Sequence, residues 1–308
     1  MLQLYTYNAG KGDCIRIRFA ETHNIIIDSG VIRFATRFNK ICGEILSSGQ
    51  TLDALILTHV DNDHIGGFLV NLRLNSYRCP FNEVWMNYDG AASTGIATLD
   101  VNLSTRQNNE VAARLKNRGV PIRSMCAGDR ILLHGAQIDV VWPEKSSLSQ
   151  HNSVMRRDVP LAHRSDYSLS LTSLAQKPIK EHDTSYNNKN SIVFTFTYDS
   201  RRFLFTGDAW AEDIVRAEGQ YDLTKISHHG SVRNISEDFK LRLRSENFLI
   251  CTDGVSHPDK QTIAKLEKWY GAINIYSPVA WWERGYLVAD DRKHNIKYYR
   301  KEGLVIAW

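Results

Sequence analysis

The feature that most constrains this chain is the stretch at residues 58–67, Thr-His-Val-Asp-Asn-Asp-His-Ile-Gly-Gly. It contains four side chains of the types that bind metal ions, namely His59, Asp61, Asp63 and His64. The apolar run at residues 52–57 precedes it and predicts a buried strand. A strand end can direct several side chains into one cavity, and glycines let the backbone pack closely there. We therefore expect a metal site; a polar loop whose carboxylates cap a helix is the alternative.

The same pattern recurs, because other short apolar runs also end in Asp or His. These ends are at Asp28, Asp208, His228 and Asp253. Ligand-type side chains gathered at one edge of packed sheets would form a site on a rigid frame. The sequence thus predicts that distant parts of the chain contribute to one site.

Alternation and helical spacing predict the elements around this site. Strands are expected at 2–7, 14–19, 24–27, 52–57, 82–86, 130–133, 136–142, 191–197, 202–206, 223–226 and 248–251. Helices are expected at 31–48, beyond Gly67, within 90–119, at 210–218 and at 260–270. No linker or repeat divides the chain, so we expect a single domain over residues 1–308. Within it, residues 144–190 read as a polar insertion and residues 273–308 as an aromatic, basic C-terminal tail with strand-like pieces.

Composition sets the class of protein. A hydrophobic content of 43% and a charged content of 23% are typical of a globular domain, and the net charge of +4 does not by itself indicate nucleic-acid binding. The five cysteines form no Cys-x-x-Cys pair, which favours reduced thiols. We find neither a basic leader nor an apolar run of the roughly 20 residues that a membrane helix needs. These features predict a cytoplasmic protein without a membrane partner.

Three motifs resemble those of the metallo-β-lactamase superfamily: the run at 59–67, Thr-Gly-Asp at 206–208 and His-His-Gly-Ser at 228–231. Further matches resemble the nuclease-like domain of the competence DNA-channel (ComEC) family. They lie at Gly10–Asp13, Ile27–Gly30, Val141–Pro143, Asn190–Val193 and His257-Pro258. The resemblance implies an αββα sandwich, in which two mixed sheets face each other, helices lie outside and metals bind at one edge.

The resemblance also implies ligands for two divalent ions. His59 and Asp61 would bind the first, Asp63 and His64 the second, and Asp208 would bridge them. His228 would complete the second site, with His229 as a competing choice. Asp13, Asp28, Asn187 and Asn190 are further candidates for contact with metal or substrate.

Two departures from the superfamily pattern affect the first site. Asp61 stands where a histidine is commoner, and Asn187 stands where a third histidine is usual. Oxygen ligands suit harder ions, so Mn²⁺ is as credible as Zn²⁺, and the first site is expected to be the weaker.

The chemistry that such a site favours is hydrolysis. Two metals about 3.5–4 Å apart can clamp a phosphodiester, and water bound to them has a pKa near 7. Asp63 would orient that water, while His229 or His257 would contact the phosphate or protonate the leaving oxygen.

The first hypothesis is therefore a metal-dependent phosphodiesterase, and in particular a nuclease acting on DNA or RNA. The basic residues that could hold a strand are Arg156, Arg157, Arg164, Arg292, Lys293, Lys297 and Arg300. Hydrolysis of a small phosphocholine ester or lactone is the second hypothesis, and a metal-stabilised binding module without turnover is the third. Nothing in the sequence indicates a protein partner or an oligomeric state.

Overall fold

The computed structural model describes residues 1–88, 103–147 and 164–308. Its strands, in chain order, are β1 (Gln3–Thr6), β2 (Ile15–Phe19), β3 (His23–Ile27), β4 (Ala54–Leu57), β5 (Glu83–Met86), β6 (Ile122–Ser124), β7 (Arg130–Leu133), β8 (Ala136–Trp142), β9 (Val193–Tyr198), β10 (Arg201–Phe205), β11 (Gly219–Gln220), β12 (Leu223–Lys225), β13 (Leu243–Arg244), β14 (Asn247–Leu249), β15 (Ile273–Ser277), β16 (Ile296–Arg300) and β17 (Gly303–Ala307). The α-helices are α1 (Ala35–Ser47), α2 (Asn62–Arg73), α3 (Leu103–Lys116), α4 (Leu171–Gln176), α5 (Tyr186–Lys189), α6 (Ala211–Ile214), α7 (Phe239–Arg242) and α8 (Lys260–Tyr270).

Two large mixed sheets form the frame. The first has the order β17-β1-β2-β3-β4-β5-β6, and the second has the order β16-β15-β14-β12-β10-β9-β8-β7. In each sheet one half is antiparallel and the other half is parallel. The short strands β11 and β13 form a separate pair.

Three apolar clusters show how the layers pack. The cluster between the sheets joins side chains such as Ile56 from the first sheet to Phe194 and Phe203 from the second. A second cluster packs α1, α2 and α3 on the outer face of the first sheet. A third packs α4, α6 and α8 on the outer face of the second. The molecule is therefore the αββα sandwich that the sequence predicts.

The parallel strands place their carboxyl ends at one edge of the sandwich. Strand β4 is buried along its whole length, as expected for a strand covered on both faces. It pairs in parallel with β3, while β12 lies between β10 and β14 in the other sheet. The chain leaves each of these strands at the edge where the Asp and His side chains follow, and the frame thus brings them together.

The C-terminal region is part of both sheets rather than an appended tail. Strands β15 and β16 extend the second sheet, and β17 pairs with β1 at the edge of the first. The basic residues Arg292, Lys293, Lys297 and Arg300 are exposed. The expected strand-like pieces are present, and their pairing partners lie far away in the sequence.

The polar segment contributes to the core where it is described. Helix α4 packs against α8 and buries Leu171 and Leu174. Arg156 and Arg157 lie outside the described residues, and Arg164 begins a short 3₁₀ helix. The sequence pattern missed this packing because α4 spans only 6 residues, too few for a clear helical period.

The structure also bears on the expected reduced thiols and on the expected lack of a membrane helix. All five cysteines are free thiols. In the described ranges, we find no helix that has both the length and the apolar character to cross a membrane.

Candidate metal centre

The centre is built by loops that leave neighbouring strands at one edge. Asp28 follows β3, His59 follows β4, Asp208 follows β10 and His229 follows β12. Helix α2 begins at Asn62, inside the motif, and not beyond Gly67 as expected. Asp63 and His64 consequently lie in its first turn, where the helical backbone fixes their directions.

The backbone at this edge is strained. Asp28, His228 and His229 have φ values of 58°, 47° and 55°, in the left-handed region that non-glycine residues seldom adopt. Such strain persists where the surrounding structure over-determines a conformation, and it concentrates at functional sites. Here it directs three functional side chains toward one cavity.

Asp208 is the hub of the centre. Within the described residues, its Oδ2 lies 3.3 Å from His64 Nε2 and 3.5 Å from His229 Nε2. The Nε2 atoms of His59 and His228 lie 3.8 and 3.9 Å away. Four imidazoles from two segments therefore present the same ring atom to one carboxylate.

The opposite nitrogen of two of the buried rings, those of His64 and His229, has a carboxylate as a hydrogen-bond partner. Asp28 Oδ2 accepts from His64 Nδ1 at 2.8 Å, while Asp13 Oδ1 and the Cys251 carbonyl lie 3.1 and 2.9 Å from His229 Nδ1 and accept from it. Thr58 fixes Asp28 in turn, through its backbone N–H at 2.8 Å and its Oγ1 at 2.7 Å. A carboxylate behind a histidine sets the tautomer and orients the ring of metal ligands. Both Nε2 atoms are thereby left as acceptors that face Asp208.

The other two imidazoles are fixed in a similar way. Thr58 Oγ1 lies 3.2 Å from His59 Nδ1. Asn234 Oδ1 lies 3.1 Å from His228 Nδ1, and Asp183 Oδ2 lies 3.3 Å from the same atom. Each of the four rings thus has one partnered nitrogen and one that points to the hub.

Buried atoms without partners test whether these residues fit a metal ion. The Nε2 atoms of His59, His64 and His229 are buried, and none has a hydrogen-bond partner in the described parts of the chain. A buried unpaired polar atom is costly, and pairing with a metal ion is a recognised explanation for such an atom. Since all three face Asp208, the donor set and its orientation fit divalent metal binding.

The carboxylates of the motif flank this hub on two sides. Asp61 Oδ2 lies 4.0 Å from His59 Nε2, and Asn187 Nδ2 donates to Asp61 Oδ1 at 3.2 Å. Asn187 Oδ1 is buried, and among the described residues it has no hydrogen-bond partner. On the other side, Asp63 Oδ2 lies 3.9 Å from His229 Nε2. The oxygen-rich donors expected for the first site therefore lie beside His59.

His228 and His229 differ in depth. The side chain of His229 is 4% exposed and that of His228 is 21% exposed. His229 also lies nearer to Asp208 and belongs to a fully buried group of potential ligands with Asp13, His64 and Asp208. His229 therefore lies in the interior of the centre, and His228 lies at its mouth.

Lys225 is a member of the centre that the sequence did not reveal. Its ammonium is buried, 2.5 Å from Asp13 Oδ2 and 3.5 Å from Asp208 Oδ1, and it donates to the Gly207 carbonyl at 2.7 Å. In the sequence it reads as an ordinary polar position at the end of a short strand. Asp183 and Asn234, which hold His228, also gave no local signal.

The pKa values follow from this crowding of charges. Burial favours the neutral acid of Asp208, but the imidazoles of His229, His64 and His228 outweigh it and hold its pKa well below the usual value. Burial lowers the pKa of His64, yet Asp208 and Asp28 raise it well above normal. Burial, followed by the neighbouring His64, lowers the pKa of His59. The hub is thus an ionised carboxylate that attracts cations, and a divalent ion there would displace protons.

The remaining predicted residues lie around this centre. The ring of His257 lies 5.2 Å from that of His228, and its buried Nδ1 has no hydrogen-bond partner among the described residues. Asn190 and Asn187 line a small recess beside His59. Asp253 instead accepts from the Val255 backbone N–H at 2.9 Å, as a turn residue does.

Part of this chain is similar to a known protein family. Residues 7–70 match the family model of the metallo-beta-lactamase superfamily, and that segment includes the 58–67 motif. The search of curated proteins found no match.

Among solved structures, the chain is similar to the metallo-beta-lactamase fold protein YhfI from Bacillus subtilis, at 11% identity over 98% of each chain with a TM-score of 0.42. It is also similar to a diphosphatase from the PhnP family, at 13% identity over 100% of this chain and 98% of that one, with a TM-score of 0.43. At such identities the likeness concerns the fold alone, and no residue's role here rests on these structures.

This chain has the metallo-β-lactamase fold, and its residues 7–70 match the superfamily's model. The predicted fold class is confirmed. The narrower resemblance to the ComEC nuclease domain has no support from the comparisons.

Proposed function

We propose that this protein is a metal-dependent hydrolase that cleaves phosphodiester bonds, with nucleic acid as its substrate. The observation that carries the metal dependence is the convergence of four imidazole Nε2 atoms on Asp208 Oδ2. Three of these nitrogens are buried and lack a hydrogen-bond partner within the described residues. That arrangement is costly for a structural hydrogen-bond network and suits ligands of a cation.

The geometry supports a set of ligands for each of two ions. His59, Asp61 and Asn187 Oδ1 would hold the first ion, and Asp208 would be available to both. Asp63, His64 and His229 would hold the second ion. This assignment places His229 where the sequence resemblance placed His228, because His229 is the more buried and the nearer to Asp63 and Asp208. His228 would then contact the substrate at the mouth of the centre.

The first ion has one nitrogen donor and several oxygen donors. Such a set suits Mn²⁺ as well as Zn²⁺, and it holds either less tightly than three histidines would. We expect the second ion, with two histidines, to bind more tightly than the first.

The protein's own groups prepare the reaction around these ions. A bound ion would supply Lewis acidity, lowering the pKa of water and neutralising phosphate charge. Asp63 is an ionised acceptor: burial opposes this, but His64, His229 and Lys11 lower its pKa to about 2. It can therefore orient a water molecule for in-line attack. Burial, followed by His228 and His229, holds the pKa of His257 well below its usual value, so its neutral imidazole at the mouth is placed to contact the phosphate.

A phosphodiester is favoured by the cation at the rim. Lys11 Nζ lies 3.3 Å from Asp63 Oδ2, and its side chain is 55% exposed. It can turn from Asp63 to a phosphate oxygen without loss of packing. The exposed basic residues Arg292, Lys293, Lys297 and Arg300 are candidates for further contacts with a longer strand. A neutral lactone would gain nothing from these charges.

The test is hydrolysis with defined substrates. Purified protein supplied with Mn²⁺ or Zn²⁺ is incubated with single- and double-stranded DNA, RNA, a chromogenic phosphodiester, a phosphocholine ester and a lactone. Nucleic acid should be degraded by the wild type and left intact by Asp63→Ala. Cleavage of the small diester alone would replace the nuclease by a small-ester hydrolase. No hydrolysis of any ester, with less than about one ion per chain, would indicate a binding module.

A further inference from the structure

A second cluster of potential metal ligands lies at the end of the sandwich away from Asp208. His23 begins β3 and Asp53 directly precedes β4, whereas His134 lies in the turn between β7 and β8. Asp53 and Thr58 bracket β4, and a strand rises about 3.3 Å per residue, so they lie about 16 Å apart along it. The cluster is therefore separate from the proposed catalytic centre, and it joins the first sheet to the second.

The ligand atoms of this cluster already have suitable separations. His23 Nδ1 lies 3.1 Å from Asp53 Oδ1, and His134 Nε2 lies 3.3 Å from the same oxygen. All three atoms lie within 4.8 Å of one another. Ligands about 2.0 Å from a tetrahedral Zn²⁺ ion are about 3.3 Å apart. Two of the distances between ligand atoms therefore already match those of such a tetrahedral site.

Asp53 is oriented by its own hydrogen bonds. Its Oδ2 accepts from the Asn24 backbone N–H at 3.0 Å and from Thr51 Oγ1 at 2.9 Å, and its side chain is 5% exposed. Asn24 lies in β3 and Thr51 in the loop before β4, and together they hold Oδ2 of the carboxylate. His23 Nδ1 lies 3.1 Å from both carboxylate oxygens, and Oδ1 is the oxygen that also approaches the His134 imidazole, in the manner of a supported metal ligand.

His134 occupies a position where a histidine is unusual. It is the first residue of the two-residue turn His134-Gly135, with φ at 47°, and such turns favour asparagine, aspartate or glycine there. Its side chain is 43% exposed and its ring stacks on that of His23, with centroids 3.4 Å apart and planes 18° apart. Parallel rings cannot both aim at one ion. Binding therefore requires the exposed His134 ring to tilt out of the stack while its Nε2 stays close to Asp53 Oδ1.

We propose that His23, Asp53 and His134 form a structural site for Zn²⁺, with water as the fourth ligand, that cross-links the two sheets. Two imidazoles and a carboxylate are donors that Zn²⁺ accepts, and they leave one position for solvent. Binding needs the His23 tautomer with its proton on Nε2, so that Nδ1 is free to coordinate. The site does not depend on the function proposed for the Asp208 centre.

Counting bound zinc tests the proposal. The full chain is freed of metal with a chelator, and Zn²⁺ binding is then measured by equilibrium dialysis. His134→Asn should bind one Zn²⁺ fewer per chain than the wild type, because asparagine suits the turn but removes the imidazole. His182→Asn, at an exposed histidine outside both clusters, should bind as many as the wild type. Equal stoichiometry for His134→Asn and the wild type would overturn the proposal.

Diffraction from wild-type crystals soaked in Zn²⁺ gives a readout independent of any variant. An anomalous peak at the zinc edge should lie about 2 Å from His23 Nδ1, Asp53 and His134 Nε2. A zinc peak at the Asp208 centre with none at this cluster would refute the proposed site.

Discussion

Each imidazole of the centre has two ring nitrogens with separate roles. The residue that holds Nδ1 is as important as the group that Nε2 faces. His64 shows this most clearly, since its Nδ1 donates to Asp28 while its Nε2 faces Asp208. Asp28 is completely buried and is held by Thr58. We regard Asp28 as a positioning residue that sets the direction and tautomer of His64.

Replacing Asp28 by asparagine tests that role. Asp28→Asn keeps the size of the side chain but removes the charge that orients His64, and loss of such a partner typically lowers metal affinity 10–100-fold. We expect a loss of that size for the second ion, measured by competition with a chromogenic chelator. Asp199→Asn, in an exposed turn with φ at 49° that asparagine tolerates, is the control. Equal affinities for Asp28→Asn and the wild type would show that His64 does not depend on Asp28.

Among individual residues of the centre, the sequence indicated those that belong to compact motifs. His59, Asp61, Asp63 and His64 are close together in the chain, and Asp208 ends a clear apolar strand. Lys225 and Asp183 could not be predicted, because their roles arise only when strands and loops distant in sequence pack together. The choice between His228 and His229 also depended on burial, which spacing does not reveal.

The elements hold the centre through close backbone contacts. Gly12, in the loop between β1 and β2, packs directly on the first turn of α2, and a Cβ atom at Gly12 would lie 1.7 Å from the Asp63 carbonyl oxygen. That distance is far below any permitted contact. The N-terminal loop therefore fixes the start of α2, and with it Asp63.

A methyl group at Gly12 should disturb the centre from outside it. Gly12→Ala must push α2 away from the loop, and overpacking of this kind typically costs about 1–3 kcal/mol. We expect a lower free energy of unfolding by denaturant and a weaker affinity for metal. Gly43→Ala is the matched control, since a Cβ atom there meets nothing within 4 Å and alanine favours the interior of α1 by about 0.5–1 kcal/mol. A Gly12→Ala protein as stable as the wild type, with the same metal affinity, would contradict this role.

Elements with a strong local period were predicted well, and those defined by distant pairing were not. The expected helix at 260–270 coincides with α8, and the hairpin of β7 and β8 lies where alternation placed it. In contrast, β17 pairs with β1 across almost the whole chain, and β6 has only 3 residues. Local periodicity carries no information about such partners.

The whole molecule carries buried charge outside the centre, and Asp213 is an example. Its side chain is 3% exposed, its Oδ2 has no hydrogen-bond partner among the described residues, and Arg216 Nε is 3.9 Å away from its Oδ1. Burial raises the pKa of Asp213 to about 6, with Lys189 opposing the shift. Because the folded-state pKa lies above the unfolded value, this group contributes stability below pH 4 that is lost as the pH rises through 6.

Asparagine at position 213 should therefore stabilise the protein at neutral and alkaline pH. A difference of about 2 pKa units corresponds to about 3 kcal/mol at most, so we expect Asp213→Asn to raise the free energy of unfolding at pH 8 by about 1–3 kcal/mol. The gain should vanish near pH 4, where the aspartate is neutral in the folded state. Denaturant unfolding at both pH values is the measurement, and a gain independent of pH would show that charge is not its cause.

Two facing sheets bring the Asp208 centre together, and we propose that this centre binds metal ions and cleaves phosphodiesters. Metal content and nuclease rate, measured on the same preparations of wild type, Asp208→Asn and Asp199→Asn, test it most directly. The wild type and Asp199→Asn should retain metal and degrade nucleic acid, and Asp208→Asn should lose at least one ion per chain and fall to the background rate. An Asp208→Asn protein that keeps its full metal content and its nuclease rate would contradict the claim.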